Sequence, residues 1–134
     1  MDLNLTGKHA LVCGASEGIG RATAHELALL GASVTVLARR AEALQEVVDA
    51  LPRGDGQAHD FIAADVSQTD ALRESVAALA ARAPVHILVN NTGGPPGGTA
   101  HEASVEAYLD AFNRHLVANQ TLLQTVLPGM RQAR

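Results

Sequence analysis

Three glycines near the start of the chain are spaced so that they could hold a phosphate group. Gly14, Gly18 and Gly20 follow directly after an apolar run at 9–13. Glycines at this spacing let backbone N–H groups close on a phosphate where a strand turns into a helix. An amphipathic stretch follows them, as such a helix requires, and the neighbouring Ser16 could donate to a phosphate oxygen. The pattern therefore predicts a binding site for a phosphate-bearing ligand.

Two arginines, Arg39 and Arg40, follow the second apolar run of the sequence. A dinucleotide site for NAD(H) usually has a carboxylate there, about 20 residues past the glycines, which accepts hydrogen bonds from the ribose 2′-OH. No carboxylate stands at this point, and an arginine can bind a 2′-phosphate through two parallel charge-assisted bonds. The alternative is that both are solvated residues at the start of the next helix. That alternative is weaker for Arg39 than for Arg40. A cation at a helix start is unfavourable without an anion nearby, which argues against the alternative. The pair favours NADP(H).

Two further segments follow predicted strands and add candidate contacts. Asp65 and Val66 follow the third apolar run, and a segment rich in Gly and Pro, Asn91–Thr99, follows the fourth. Ligands of open α/β sheets bind outside the carboxyl ends of the strands. Asp65 could instead belong to a helix cap, and the Gly- and Pro-rich segment could be an ordinary surface loop. Their shared location favours binding, with Asp65 as an adenine contact.

The elements that must position these residues alternate between short apolar runs and amphipathic stretches. We predict strands at Ala10–Cys13, Ser33–Leu37, Asp60–Ala64 and Val85–Asn90. We predict helices at Ile19–Leu30, Ala41–Leu51, Thr69–Ala83 and Ser104–Val126. Gly31 and Pro52 are expected to end the first two helices, and Ser67 or Thr69 could cap the third. This alternation indicates right-handed βαβ units, and hence an α/β fold with a doubly wound parallel sheet and helices on both faces.

The composition of the 134 residues restricts the class of protein further. An apolar content of 47% is ample for the core of one domain, and the net charge of −4 argues against a nucleic-acid surface. The only cysteine, Cys13, excludes an internal disulfide and suits a reducing cytoplasm; we interpret it as a small buried residue. No apolar run reaches the roughly 20 residues of a membrane span, and the start does not resemble a signal peptide. The histidines lack metal-binding spacing. We expect a soluble cytoplasmic protein with no membrane, nucleic-acid or metal partner.

Four motifs in order resemble the short-chain dehydrogenase/reductase family over essentially the whole chain. They are Gly14-x-x-x-Gly18-x-Gly20, Asp65-Val66, Asn90-Asn91-Thr92-Gly93 and Leu127-Pro128-x-Met130. The Gly-Gly-Pro-Pro run within the family is most similar to bacterial reductases grouped with 3-oxoacyl carrier-protein reductases. The resemblance implies a Rossmann-like sheet of strand order 3-2-1-4, here the first four βα units of an incomplete fold. Residues 1–134 would form a single NADP-binding domain without the family's C-terminal catalytic half.

The resemblance also implies which residues contact NADP(H). The expected contacts are Gly14, Ser16, Gly18, Ile19, Gly20, Arg39, Arg40, Asp65, Val66, Asn91 and Gly93. Thr92 stands where the family has Ala, and Cys13 where it generally has Thr. His115 stands where the family carries an asparagine that kinks the last helix and holds a water of the proton relay. A histidine could offer a ring nitrogen to that water. We nevertheless favour a structural role for it.

The family transfers a hydride between the nicotinamide and a carbonyl or alcohol, using a tyrosine and a lysine four residues later. Such a phenol acts as a general acid or base only if its pKa is lowered by several units. Here the only tyrosine is Tyr108 and the only lysine is Lys8, so the pair cannot form. We expect the cofactor-binding part of an NADP(H)-dependent carbonyl reductase that is inactive alone, with a substrate the sequence does not define.

The alternative is a non-catalytic nucleotide-binding or interaction module that dimerises or pairs with a complementing chain. An uncovered parallel-sheet edge invites pairing, and the last helix has an apolar face that needs a partner. That face consists of Leu109, Phe112, Leu116, Leu123 and Val126. In the family the same helix commonly lies in a subunit interface, so a homodimer or higher oligomer is expected under either hypothesis.

Overall fold

Strands and helices alternate along the chain in the computed structural model, which describes residues 2–94 and 96–133. The strands are β1 (His9–Cys13), β2 (Ser33–Ala38), β3 (Asp60–Ala63) and β4 (Ile87–Val89). The helices are α1 (Gly18–Leu29), α2 (Ala41–Ala50), α3 (Thr69–Arg82), α4 (Val105–Phe112) and α5 (Ala118–Ala133). A 3₁₀ turn at Ala100–Glu102 precedes α4, and a π-helical segment at Asn113–Val117 joins α4 to α5.

The four strands form one parallel sheet in the order β3-β2-β1-β4, which confirms the predicted fold. The register places Ala10 of β1 between Val34 of β2 and Ile87 of β4. β1 and β2 are the central strands, and their apolar runs are buried because helices cover both faces of the sheet. β4 is shorter than the predicted Val85–Asn90, since the ladder it shares with β1 extends only over 87–89.

Alternate residues of the central strands enter two separate apolar layers, as the two-residue period of a strand requires. Ala10 and Val12 pack in the layer beneath α1 and α2, whereas Leu11 and Cys13 pack in the layer beneath α3 and α5. Cys13 is fully buried, and burial raises the pKa of its thiol to about 12. The thiol is therefore protonated at neutral pH, which agrees with its interpretation as a small buried residue.

The helix ends follow the predicted signals in two cases and differ from them in the third. Gly31, with φ +98°, ends α1, and its N–H donates to the carbonyl of Ala28 at 3.0 Å. α2 ends two residues before Pro52, as predicted. The prediction that Ser67 or Thr69 caps α3 is wrong, because the N-cap residue is Gln68 and no side chain caps this end.

The last predicted helix, Ser104–Val126, is wrong in its interior and at its end. Ser104 does cap its start, since its Oγ accepts the N–H of Ala107 at 3.1 Å. The π-helical segment then interrupts the α-helical hydrogen bonds, and the helix continues past Pro128 to Ala133. Proline lacks an N–H and so leaves the carbonyl of Gln124 without its helical donor. Gln124 is exposed, where water can bind that carbonyl, and the helix therefore tolerates the proline.

Two partly buried histidines at the amino end of the sheet should make the stability of the fold depend on pH. Burial lowers the pKa of both His9 and His59. In His59, Nδ1 accepts the N–H of Val34 at 3.1 Å while Nε2 donates to the carbonyl of Pro52 at 2.9 Å. A charged ring has no acceptor nitrogen, so protonation would break the bond to Val34.

We expect the free energy of unfolding to decrease as the pH falls below about 6.5, the ordinary histidine pKa. The unfolded chain then binds protons that the folded chain resists, so acid favours unfolding, and the full contribution returns above that pH. Urea unfolding at pH 7.5 and 5.5 measures the effect. His59→Gln should reduce the difference between the two pH values, whereas His25→Gln, at an exposed position of α1, should leave it unchanged. Equal stability at both pH values would contradict the prediction.

No helix within residues 2–94 and 96–133 has both the length and the apolar character needed to cross a lipid bilayer.

Candidate functional site

A cavity of about 760 Å³ opens at the carboxyl end of the sheet, where the loops after all four strands meet. Its lining includes most of the residues predicted to contact a cofactor. These are Gly14, Ser16, Gly18, Ile19, Arg39, Arg40, Val66, Asn91 and Gly93. Gly20 and Asp65 do not line the cavity, although each lies next to a lining residue in the sequence or the fold. The topology therefore brings the separate sequence motifs into one site.

Five lining residues were not among the predicted contacts: Glu17, Leu37, Ala38, Ala64 and Thr92. Leu37, Ala38 and Ala64 stand at the carboxyl ends of β2 and β3, and that position was the signal that could have identified them. Glu17 is exposed and stands at the N-cap of α1.

The glycine loop between β1 and α1 is tightly packed against the turn after β4. A Cβ added to Gly14 would overlap the backbone carbonyl oxygen of Asn91, and one added to Gly20 would overlap the carbonyl oxygen of Gly14. Gly14 also has φ +60°, in the left-handed region that favours glycine. The Nδ2 atom of Asn91 donates to the carbonyl of Gly14 at 3.3 Å. These contacts restrict the conformations open to the loop.

The amino end of α1 is free to receive an anion. α1 begins at Gly18, whose φ is +57° and beside which a Cβ would meet no atom within 4 Å. No side chain caps this end, and no acidic residue lies in the first turn of the helix. The first N–H groups of a helix lack internal partners and carry partial positive charge, so they attract phosphate. The open space at Gly18 lets a ligand approach the backbone.

Arg39 and Arg40 are exposed at the rim of the cavity, between β2 and α2. Arg40 is the N-cap residue of α2 and Arg39 precedes it. Neither guanidinium forms an ion pair with a carboxylate anywhere in residues 2–94 and 96–133. Both positive charges are therefore available to a bound anion.

Asp65 forms a local turn instead of a helix cap. Its Oδ1 accepts the backbone N–H of Ser67 at 2.9 Å and the Ser67 hydroxyl at 2.8 Å. These two bonds, with a smaller contribution from the charge of Arg39, hold the pKa of the carboxyl below its ordinary value. The carboxylate is therefore ionised at neutral pH. Asp65 therefore does not cap α3. Its contact with adenine stays a prediction.

His115 lies outside the cavity, in the π-helical segment between α4 and α5. Its Nδ1 atom is 2.7 Å from the hydroxyl oxygen of Thr92, which does line the cavity. The ring therefore has a direct protein partner, while the structural role favoured for it stays a prediction.

The lining groups are suited to binding an anionic nucleotide. Within the described residues the cavity offers backbone N–H groups, the Ser16 and Thr92 hydroxyls, the Asn91 amide and two guanidinium groups, with Glu17 as its one carboxylate. Tyr108 lies elsewhere, and its hydroxyl donates to the carbonyl of Ala100 at 3.0 Å.

Residues 8–134 match the family model described as short chain dehydrogenase. The chain belongs to this family.

The relatives of this chain among the short-chain dehydrogenases include reductases that are named for different substrates. The chain is 35% identical over 130 residues to L-xylulose reductase of Mus musculus, covering 97% of the chain and 50% of that protein. It is 32% identical over 130 residues to a ketoacyl reductase of Nostoc sp., covering 96% of the chain and 45% of that protein. The chain thus spans about half the length of these short-chain dehydrogenase relatives.

Solved structures of short-chain dehydrogenases superimpose closely on the chain. L-sorbose reductase from Gluconobacter frateurii, complexed with NADPH and L-sorbose, has a TM-score of 0.90 at 30% identity, covering 99% of this chain and 51% of that one. A 3-oxoacyl (acyl-carrier-protein) reductase from Agrobacterium tumefaciens, with NADP bound, has a TM-score of 0.88 at 29% identity, covering 98% and 51%. The predicted family and its strand order are both confirmed.

Proposed function

We propose that this chain is the NADP(H)-binding portion of a short-chain dehydrogenase. Its complete form would transfer a hydride between NADP(H) and a carbonyl or alcohol substrate. The observation that carries the proposal is the pair of cavity-lining arginines at the end of β2, which have no carboxylate partner among the described residues. A 2′-phosphate is the group by which NADP(H) differs from NAD(H), and two free guanidinium groups recognise it by charge and by hydrogen bonding.

The residues around the cavity divide naturally among the parts of such a dinucleotide. The glycine loop and the amino end of α1 would bind the pyrophosphate, with Ser16 donating to one of its oxygens. Arg39 and Arg40 would bind the 2′-phosphate, and Asp65 with Val66 would contact the adenine. Asn91, Gly93 and Ile19 would line the remaining part of the ligand. The nicotinamide supplies the hydride chemistry when it is bound, and this chain supplies the surface that orients it.

Residues 1–134 are proposed as a single Rossmann-type domain that carries the cofactor half of the family's machinery. Its sequence contains one lysine, Lys8, and one tyrosine, Tyr108, so it offers no tyrosine–lysine pair of the family's spacing. We therefore expect that residues 1–134 do not reduce a carbonyl by themselves. We place the chain in a reducing compartment such as the cytoplasm, because its single cysteine, Cys13, is a free thiol.

Titration of the chain with NADPH and with NADH tests the proposed function directly. We expect NADPH to bind on the order of tenfold to a hundredfold more tightly, the range that charge-assisted bonds to one phosphate supply. Fluorescence of the reduced nicotinamide measures both affinities. Tighter binding of NADH, or binding of neither cofactor, would contradict the proposal. Carbonyl reduction by the chain alone would contradict its inactivity.

An exposed apolar stripe along α4 and the start of α5 supports a second proposal, a homodimer. Leu109, Phe112, Leu116 and Leu123 are between 40% and 60% exposed, and they lie three to seven residues apart on the helices. Val126, which was predicted to belong to this face, is instead buried against the sheet. A contiguous exposed apolar surface on a helix is typical of a subunit interface. This surface would serve a complementing chain in the same way if the protein is a non-catalytic module.

Phe112→Asp is expected to weaken self-association at least tenfold, because it places a charge at the centre of the apolar stripe. Sedimentation equilibrium measures the dimer dissociation constant. Leu29→Asp is the matched control, since Leu29 is a similarly exposed leucine on α1, away from the stripe. A monomer at all concentrations, or equal effects of the two variants, would contradict the interface.

A further inference from the structure

The side chains of Thr92 and His115 are in direct contact in the fold. The Nδ1 atom of His115 lies 2.7 Å from the Thr92 hydroxyl oxygen, and the pair is partly buried. The bond joins the turn after β4 to the π-helical segment before α5. It therefore connects the wall of the cavity to an element that does not itself line the cavity.

We propose that His115 is a positioning residue that holds the Asn91–Gly93 turn in its cofactor-binding conformation through Thr92. The inference rests on the proposed binding of NADP(H). Thr92 lines the cavity with both of its neighbours, whereas His115 does not. The bond to Thr92 is therefore a route by which His115 can act on the ligand. This role differs from holding a water molecule, because the partner of the ring is a protein hydroxyl.

The turn that His115 contacts has few other restraints. Regular secondary structure ends at Val89, and within the described residues neither Thr92 nor Gly93 makes a backbone hydrogen bond of the loop or turn type. Side-chain bonds at Asn91 and Thr92 fix the segment instead. Asn91 donates to the glycine loop and Thr92 bonds to the helix. Loss of the Thr92 bond leaves the turn attached on one side only.

The contact requires a hydrogen-bonding ring and not a charge. A neutral imidazole can accept the hydroxyl proton at Nδ1 or donate its own, and a charged imidazole can donate to the hydroxyl oxygen. The bond thus persists whichever form the ring takes. Replacement of the ring by an apolar one of similar shape removes the bond with the smallest change in packing, which makes His115→Phe the informative variant.

A double-mutant cycle on NADPH affinity tests the proposal in the full 134-residue chain. His115→Phe and Thr92→Val should each weaken binding on the order of threefold to tenfold, the range for one hydrogen bond. The double variant should bind no more weakly than the weaker single variant, because both remove the same bond. Thr92→Ser keeps the hydroxyl and should restore affinity. His101→Asn, at an exposed position of the 3₁₀ turn, is the control and should bind like the unmodified chain.

Backbone order parameters at Thr92 and Gly93, measured by NMR relaxation without cofactor, provide a readout that does not depend on the proposed function. His115→Phe should lower the order parameters of both residues, and His101→Asn should not. Failure of the unmodified chain to bind NADPH would overturn the proposed function, and the order parameters would then decide the positioning of the turn alone. Unchanged order parameters, or effects on affinity that simply add in the double variant, would overturn the role of His115. If His115→Phe does not fold, His115→Leu takes its place in both measurements.

Discussion

Gly20→Ala is expected to lower the free energy of unfolding by about 3 kcal/mol, the upper end of the usual cost of overpacking. A Cβ at this position would overlap the backbone carbonyl oxygen of Gly14 and would also lie 2.8 Å from Nδ2 of Asn91. Backbone atoms cannot move aside as a flexible side chain would. Relief of the overlap requires α1 to move away from the end of β1, and the buried Ala24 and Ala28 on the same helix would lose contacts. Urea unfolding at neutral pH measures the change.

Gly129→Ala is the matched control, because it adds the same methyl group to another helical glycine. A Cβ at Gly129 meets no atom within 4 Å. Alanine loses less conformational freedom than glycine on folding, so this variant should be more stable by about 0.5–1 kcal/mol. A similar loss of stability in the two variants would show that the close approach at Gly20 is not the cause.

Arg39→Asp is expected to weaken NADPH binding on the order of a hundredfold while leaving NADH affinity unchanged or improved. The substitution removes a guanidinium that can bind the 2′-phosphate and replaces it with a carboxylate that repels it. The same carboxylate can accept hydrogen bonds from the ribose 2′-OH of NADH. The ratio of the two dissociation constants, measured by nicotinamide fluorescence, should therefore invert or approach one.

The control for this change of charge is Arg53→Asp, which alters the net charge equally in the exposed turn after α2. It should leave both affinities unchanged, apart from a small effect of long-range charge that salt removes. If Arg39→Asp acts no more strongly than Arg53→Asp, Arg39 is not the residue that recognises the phosphate. Arg40→Asp would then be the next variant to compare, since Arg40 also lines the cavity.

The sequence was sufficient to predict the sheet, because its elements follow local rules. Strands buried on both faces appear as continuous apolar runs, and Gly31 and Pro52 mark helix ends by their backbone properties alone. The glycine loop was equally predictable, since its positive φ angles and close packing permit little besides glycine. These features depend on residues near one another in the chain.

The features that could not be predicted depend on contacts between distant segments. Pro128 is a local signal for a helix end, yet α5 passes through it because the helix packs on α3 and the freed carbonyl is exposed. Ser67 is a residue type that caps helices and stands close to the start of α3, but its hydroxyl donates to the carboxylate of Asp65 instead. The pairing of His115 with Thr92 becomes visible only when the turn after β4 is placed beside the π-helical segment.

The contact between Gly14 and Asn91 also sets an order for the assembly of the phosphate-binding loop. The two residues are 77 positions apart, so the loop is encoded early in the chain, but one side of it is supplied late. An isolated β1–α1 unit contains every glycine of the loop and still lacks the carbonyl and amide against which Gly14 packs. During synthesis the contact between Gly14 and Asn91 therefore cannot form until β4 and the turn after it have emerged. Contacts of such long sequence separation form slowly, because closing the long intervening loop costs conformational entropy. We therefore expect the complete nucleotide-binding loop to form late in folding.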